Sequence, residues 1–148
     1  MKHHIVILVS LMSTPTWAAG SCTPNDMQVN VCQAATAISD SIEPMLPVRL
    51  TQSLVLHHIE SSENTIRMSA FFDYTEAFLQ KRLRTGVSLD ELKEGIHDMA
   101  NVMACRPETE LEAFVNLGGR LEMVYLFSDA AHFLTVDVEQ CADRPKGQ

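Results

Sequence analysis

Thr65-Ile-Arg-Met-Ser-Ala-Phe-Phe-Asp-Tyr74 alternates with a period of two: Ile66, Met68, Ala70, Phe72 and Tyr74 face one way, while Arg67, Ser69 and Asp73 face the other. That period belongs to a strand with one buried and one wet side, the usual state of an antiparallel hairpin. Upstream, Val48 to Glu60 is also strand-like, with Leu50, Leu54 and Leu56 on one face. Ser61-Ser-Glu-Asn64 supplies turn residues between the two runs, so residues 48 to 74 are expected to fold as one hairpin.

Outward from this hairpin the period changes to that of helices. Asn25 or Asp26 is placed to cap a helix whose apolar positions Met27, Val31, Ala34, Ile38 and Ile42 step by three or four, until Pro44 and Pro47 end it. After the hairpin, Glu76 to Arg84 reads as a short helix with Phe78, Leu79 and Leu83 inward, stopped at Gly86. Ser88-Leu-Asp-Glu91 matches a capping box, and Leu89, Leu92, Ile96, Met99 and Met103 continue a single face behind it. Pro107 suits the first turn of a third helix, with Glu108 and Glu110 near its positive end, Leu111, Phe114 and Val115 buried, and Gly118-Gly119 closing it. A last hairpin pairs Leu121, Met123, Tyr125 and Phe127 with Leu134, Val136 and Val138, and Ala142 to Gln148 reads as a frayed tail. The order α-ββ-ααα-ββ predicts an α+β domain: an antiparallel sheet of two hairpins with helices gathered on one face.

The start of the chain reads as an export signal. Met1 to His4 carries Lys2, Ile5 to Met12 is apolar, and Thr16-Trp-Ala18 presents small residues where a signal peptidase expects them. Residues 1–18 are expected to be removed, leaving residues 19–148 as one domain in the periplasm or secreted. The apolar run is too short for a bilayer core of about 30 Å. Ala19-Gly-Ser-Cys22 loosely resembles a lipobox but holds Ala and Ser where Leu and Gly or Ala are usual. Lipidation at Cys22 would make the chain an outer-membrane lipoprotein, and only then would a membrane be a partner.

The 148 residues include 46% hydrophobic and 20% charged side chains, an ordinary globular balance. Nineteen acidic against eleven basic residues give a formal charge of −8, which disfavours a reader of nucleic-acid phosphates. Cys22, Cys32, Cys105 and Cys141 form an even set in an exported chain and read as two disulfides. Three connectivities are open; short separation favours Cys22 with Cys32 and Cys105 with Cys141. No Cys-x-x-Cys spacing suggests redox catalysis.

The sequence carries no catalytic signature. His57 and His58 are adjacent, so in a regular strand they point to opposite faces and cannot share a metal, and neither His-Glu-x-x-His nor a zinc-type Cys/His spacing occurs. His97 and His132 read as solvated or structural. A nucleophile elbow, a Walker loop and a dinucleotide fingerprint are all missing, so no cofactor is expected. The carboxylates Asp90, Glu91, Glu94, Asp98, Glu108, Glu110 and Glu112 read as solvated helix faces. Met27, Met45, Met68, Met99, Met103 and Met123 raise a different prospect, because methionine-rich grooves take up partner helices, although at these spacings most belong to a core.

Cys105-Arg-Pro-Glu-Thr109, the helix of Leu111 to Leu117, Gly118, the strand around Tyr125 and the closing Cys141 together resemble the β-class pilotins of type II secretion systems. A similar layout occurs in a family of exported quorum-sensing-regulated virulence factors. The pilotin resemblance implies a non-enzymatic protein that binds a C-terminal segment of an outer-membrane secretin subunit, with the cysteines matching Cys105 and Cys141 bridged. Two features depart from the pattern: the poor lipobox before Cys22, and a segment Ser88 to Met103 longer than the family's corresponding helix. The alternative is a periplasmic inhibitor or a secreted virulence-associated protein of the same fold. Which residues touch the partner is not marked by any local motif.

Overall fold

A computed structural model describes residues 22–83 and 86–141; the expected signal segment and the tail lie outside them. The elements are α1 (Val31–Ile42), a 3-10 turn (Glu43–Met45), β1 (Val48–Arg49), β2 (Leu54–Ser62), β3 (Thr65–Phe72), α2 (Glu76–Leu83), α3 (Leu89–Ala104), α4 (Glu110–Asn116), β4 (Arg120–Leu126) and β5 (His132–Val138). The architecture is α+β, with one five-stranded sheet in the order β1-β2-β3-β4-β5.

The sheet is mixed, which corrects the expectation of an antiparallel one. β2/β3 and β4/β5 are antiparallel hairpins, but β3 and β4 run parallel from Thr65↔Arg120 to Phe71↔Leu126. The cause is the connection: three helices between β3 and β4 return the chain to the end where β3 began, as parallel neighbours require. The stretch from Val48 is also divided. β1 is two residues long, and the Leu50 and Thr51 amides both donate to the Leu54 carbonyl in a tight reversal before β2.

Strand parity settles the core. Leu54, Leu56, Ile66, Met68, Ala70, Leu121, Met123 and Val136 are all at most 5% exposed. Above them lie Val31, Ala35 and Ile38 of α1, Ile96, Ala100 and Ala104 of α3, and Phe114 and Val115 of α4. On the opposite face Arg67 pairs with the largely covered Glu122 at 2.8 Å and Arg120 with Asp137 at 2.8 Å; the second is exposed on both sides, the kind of pair that contributes little.

The helix ends differ from expectation where side chains compete for backbone groups. α1 is capped by Asn30, whose Oδ1 accepts from the Gln33 amide. Asn25 instead ties the preceding loop, accepting from the Val29 amide and donating to the Val29 and Leu117 carbonyls. Met27 therefore stands outside the helix, 72% exposed. The capping box of Ser88 and Glu91 at α3 is complete in both directions, and its hydrogen bonds from Ser88 hold the Glu91 carboxyl below its usual range. Before α4, Pro107 lies in a turn and Thr109 is the cap. Gly118-Gly119 does close α4: Gly118 has φ +95°, and a Cβ on Gly119 would lie 2.4 Å from the buried Phe114 ring. Phe78, expected inward, is 47% exposed.

Candidate functional site

Histidines and carboxylates do not converge. His57 and His58 sit at a β-bulge, since Leu56 pairs with Ala70 and His58 already with Ser69. Both are exposed, which corrects the expectation of opposite faces: the bulge inserts one residue and breaks the alternation. His57 meets the edge of Phe71, His58 lies 3.6 Å from Glu60, His97 accepts from Asn101 and His132 contacts Thr135. Among the described residues no three His, Cys, Asp or Glu side chains are grouped to hold a metal ion. Of the helix carboxylates, Glu91 caps α3 and Glu112 accepts from the Glu108 amide, while Asp90, Glu94, Asp98 and Glu110 are exposed.

The four cysteines form two bridges, Cys22–Cys32 and Cys105–Cys141. The first holds the entry to α1, where the Cys22 carbonyl also accepts from the Val31 amide at 2.7 Å. The second joins Cys105, the C-terminal cap of α3, to the chain just beyond β5. A sulfur engaged in the Cys22–Cys32 bridge cannot also carry a lipid through a thioether.

The methionines divide three ways. Met68 and Met123 are core, Met27 and Met45 are exposed, and Met99 and Met103 are half-buried on α3. The last two line a groove of about 430 Å³. Met99, Val102 and Met103 of α3 form one wall, Leu111 of α4 and Leu50 close it, and Arg106 and Thr109 lie where α3 passes to α4. Val102 is 71% exposed, a large apolar side chain contiguous with the two methionines in the groove. Tyr125 also lines this groove although it is only 1% exposed, and burial pushes its phenol up to about 12. Two other hollows, one beside Tyr74 and Phe78 and one beside Asn25 and Leu117, are larger but are lined mostly by polar groups.

The sequence placed Met99 and Met103 on a core stripe and among the methionines of a prospective partner groove, and did not single out Val102, Arg106, Leu111 or Tyr125 for a site. One signal was present: Val102 lies off the stripe, where a charged or small residue is expected on a solvated helix face.

The fold that carries this groove has counterparts of known structure. No protein-family model matches this chain, and no curated protein matches it in sequence. Solved structures do. The pilotin EpsS of the Vibrio vulnificus type 2 secretion system aligns over 78% of this chain and 94% of that one, with a TM-score of 0.60 and 16% identity. The type II secretion pilotin AspS of Vibrio cholerae aligns over 74% and 88%, with a TM-score of 0.51 and 12% identity. A protein from Pseudomonas aeruginosa assigned as secreted aligns over 72% and 87%, with a TM-score of 0.52 and 11% identity. The chain is similar in fold to type II secretion pilotins. At these identities the likeness is one of fold, so the groove and its residues rest on this chain's own geometry.

Proposed function

We propose that this chain is an exported, non-enzymatic protein-binding domain, a pilotin-like accessory factor for secretin assembly in type II secretion, and that the groove beside α3 receives its partner. The observation that carries the reading is the shared fold with two type II pilotins, one of which is spanned over 94% of its length. The groove supports it, because exposed Val102 beside flexible Met99 and Met103 makes a surface that adapts to an apolar helix. In this reading the partner is a C-terminal segment of a secretin, residues 1–18 are removed as a signal peptide, and residues 19–148 act in the periplasm. The Cys22–Cys32 bridge favours an unlipidated form, so delivery would not use an anchor at Cys22.

Two measurements test this. In a strain lacking the protein, secretin multimers should fall and monomers accumulate; unchanged multimers would refute piloting. Intact mass of the protein from native fractions should show a chain starting near Ala19 with both bridges closed, whereas a diacylglycerol adduct on Cys22 would overturn the unlipidated form. A second reading, a periplasmic inhibitor or secreted virulence-associated protein, is favoured by the likeness to the Pseudomonas aeruginosa protein assigned as secreted. It predicts the protein in culture medium and normal secretin assembly without it.

A further inference from the structure

The groove contains two polar groups that the fold itself does not use. Tyr125 stacks on Phe72 with ring centroids 6.4 Å apart and is 1% exposed. Its hydroxyl makes no hydrogen bond to any described residue but is not sealed in the core as the Ser39 hydroxyl is, and it opens on the groove that Tyr125 lines. The polar tip of an otherwise enclosed phenol normally finds a partner, and at Tyr125 only an occupant of the groove can supply one from another molecule. Arg106 is the second. Among the described arginines, Arg49 donates to the Gln52 carbonyl, Arg67 and Arg120 pair with carboxylates, and Arg82 lies over the Phe78 ring. Only the Arg106 side chain, on the rim of the groove, has no such engagement.

These groups define what the site lacks. A donor at the floor and a cation at the rim together suit an anionic acceptor. The wall calls for something else: Met99, Val102 and Met103 stand at i, i+3 and i+4, the spacing that meshes with a ridge of a second helix. We infer that the groove takes an amphipathic helical segment of a partner protein carrying a carboxylate within its apolar stripe, held by the Tyr125 hydroxyl and the Arg106 guanidinium. The inference rests on the pilotin-like reading for the place of binding and adds the chemistry of the partner. The apolar wall supplies contact area, and the carboxylate selects one register among the many that a smooth apolar stripe would allow.

Two sets of probes separate this from the reading beneath it. The first is the C-terminal segment of the secretin made by the same cell, with each acidic residue changed in turn to its amide. The second is a pair of synthetic helices, about four turns long and blocked at both ends, with the same leucine stripe and either Glu or Gln at its centre. Binding of each is measured by fluorescence anisotropy to the oxidised wild-type protein and to Tyr125→Phe, Arg106→Gln and Val102→Asp. The Glu helix should bind about 10- to 100-fold more tightly than the Gln helix, and that preference should shrink in Tyr125→Phe and in Arg106→Gln, while Val102→Asp weakens both. Equal binding of Glu and Gln helices, or a preference untouched by the two variants, overturns the carboxylate site and leaves the groove judged by Val102→Asp alone. A Glu helix that binds as expected while the secretin segment does not keeps this site and removes piloting. Failure of every probe overturns the inference together with the reading it rests on. Tyr125→Phe loses only an unpaired hydroxyl, so the variant folds and its result can be read.

Discussion

Helices α1 and α3 lie on the same face of one sheet, yet they use their apolar residues differently. α1 seats Val31, Ala35 and Ile38 fully in the core and leaves no large apolar side chain of its own exposed. α3 buries Ile96, Ala100 and Ala104, but Val102 and Leu89 remain 71% and 40% exposed, and Met99 and Met103 are only partly covered. The surplus on α3 is not needed to hold the fold, since three residues a turn apart already fix the helix to the sheet. Met99, Val102 and Met103 are moreover contiguous in one groove, and contiguous rather than scattered apolar surface marks interaction sites.

The comparison breaks first at matched truncations. Ile38→Ala should cost about 2–5 kcal/mol in chemical denaturation, through lost burial plus the cavity left behind. Val102→Ala should stay within about 0.5 kcal/mol of wild type, while weakening partner binding. Equal losses at both sites would mean that α3 belongs to the core no less fully than α1.

Each helix is also stapled, at opposite ends and over different loops. Cys22–Cys32 closes 10 residues at the start of α1, and Cys105–Cys141 closes 36 residues from the end of α3. In the chain-entropy picture, replacing both cysteines of a pair by Ser costs roughly 3 kcal/mol for the short loop and roughly 4 for the long one. Melting of Cys22→Ser/Cys32→Ser beside Cys105→Ser/Cys141→Ser checks the order. The reverse order would show that the native contacts around α1, and not loop length, set the value of its staple.

The start of α3 offers a smaller test with a pH signature. Ser88→Ala removes the cap and should cost about 1 kcal/mol at neutral pH. Glu91 is held below its ordinary value of 4.5 by its hydrogen bonds from Ser88, so its contribution is complete above that value and drains away as pH falls through the depressed one. The gap between wild type and Ser88→Ala should therefore narrow in acid. A gap that stays constant down to about pH 3 would remove the carboxylate from the cap.

What could be read in advance follows the same division. Strand parity at Ile66, Met68, Ala70 and Phe72, and the box at Ser88, are local patterns, and local patterns decided them. The parallel pairing of β3 with β4 was hidden because it joins residues some 55 positions apart, as Ile66 with Leu121. Bulges were hidden too: His57 is an extra residue in β2, and Phe133 an extra residue in β5 that packs beside Phe72 and Phe127. Two neighbours on one side of a strand cannot be told from alternation in the sequence. The groove escaped for another reason, since a half-buried Met99 and a buried Met123 look alike until a wall is seen to be missing. Tyr125 was legible only as a core position among Leu121, Met123 and Phe127; its hydroxyl, alone polar in that row, was the available signal.

Two unpaired hydroxyls give the finest version of the comparison. Ser39 of α1 is 5% exposed and its Oγ has no partner, and Tyr125 beneath α3 is 1% exposed with an unpaired phenol. Removing the sealed one should raise stability, by about 0.5–1 kcal/mol for Ser39→Ala, where helix propensity adds to the relief, whereas Tyr125→Phe, which removes a hydroxyl that opens on the groove, should stay within about 0.5 kcal/mol of wild type. Their effects on binding should then part. Ser39 is sealed in the core beneath α1, so Ser39→Ala should bind the Glu helix as wild type does. Tyr125→Phe should keep its stability and lose affinity, the behaviour expected of a polar group that serves binding and not the fold. Thermal melting and anisotropy on the same two proteins decide it. A Tyr125→Phe variant that melts earlier would reveal a structural bond for the phenol, and one that keeps both stability and affinity would show that the hydroxyl serves neither the fold nor the partner.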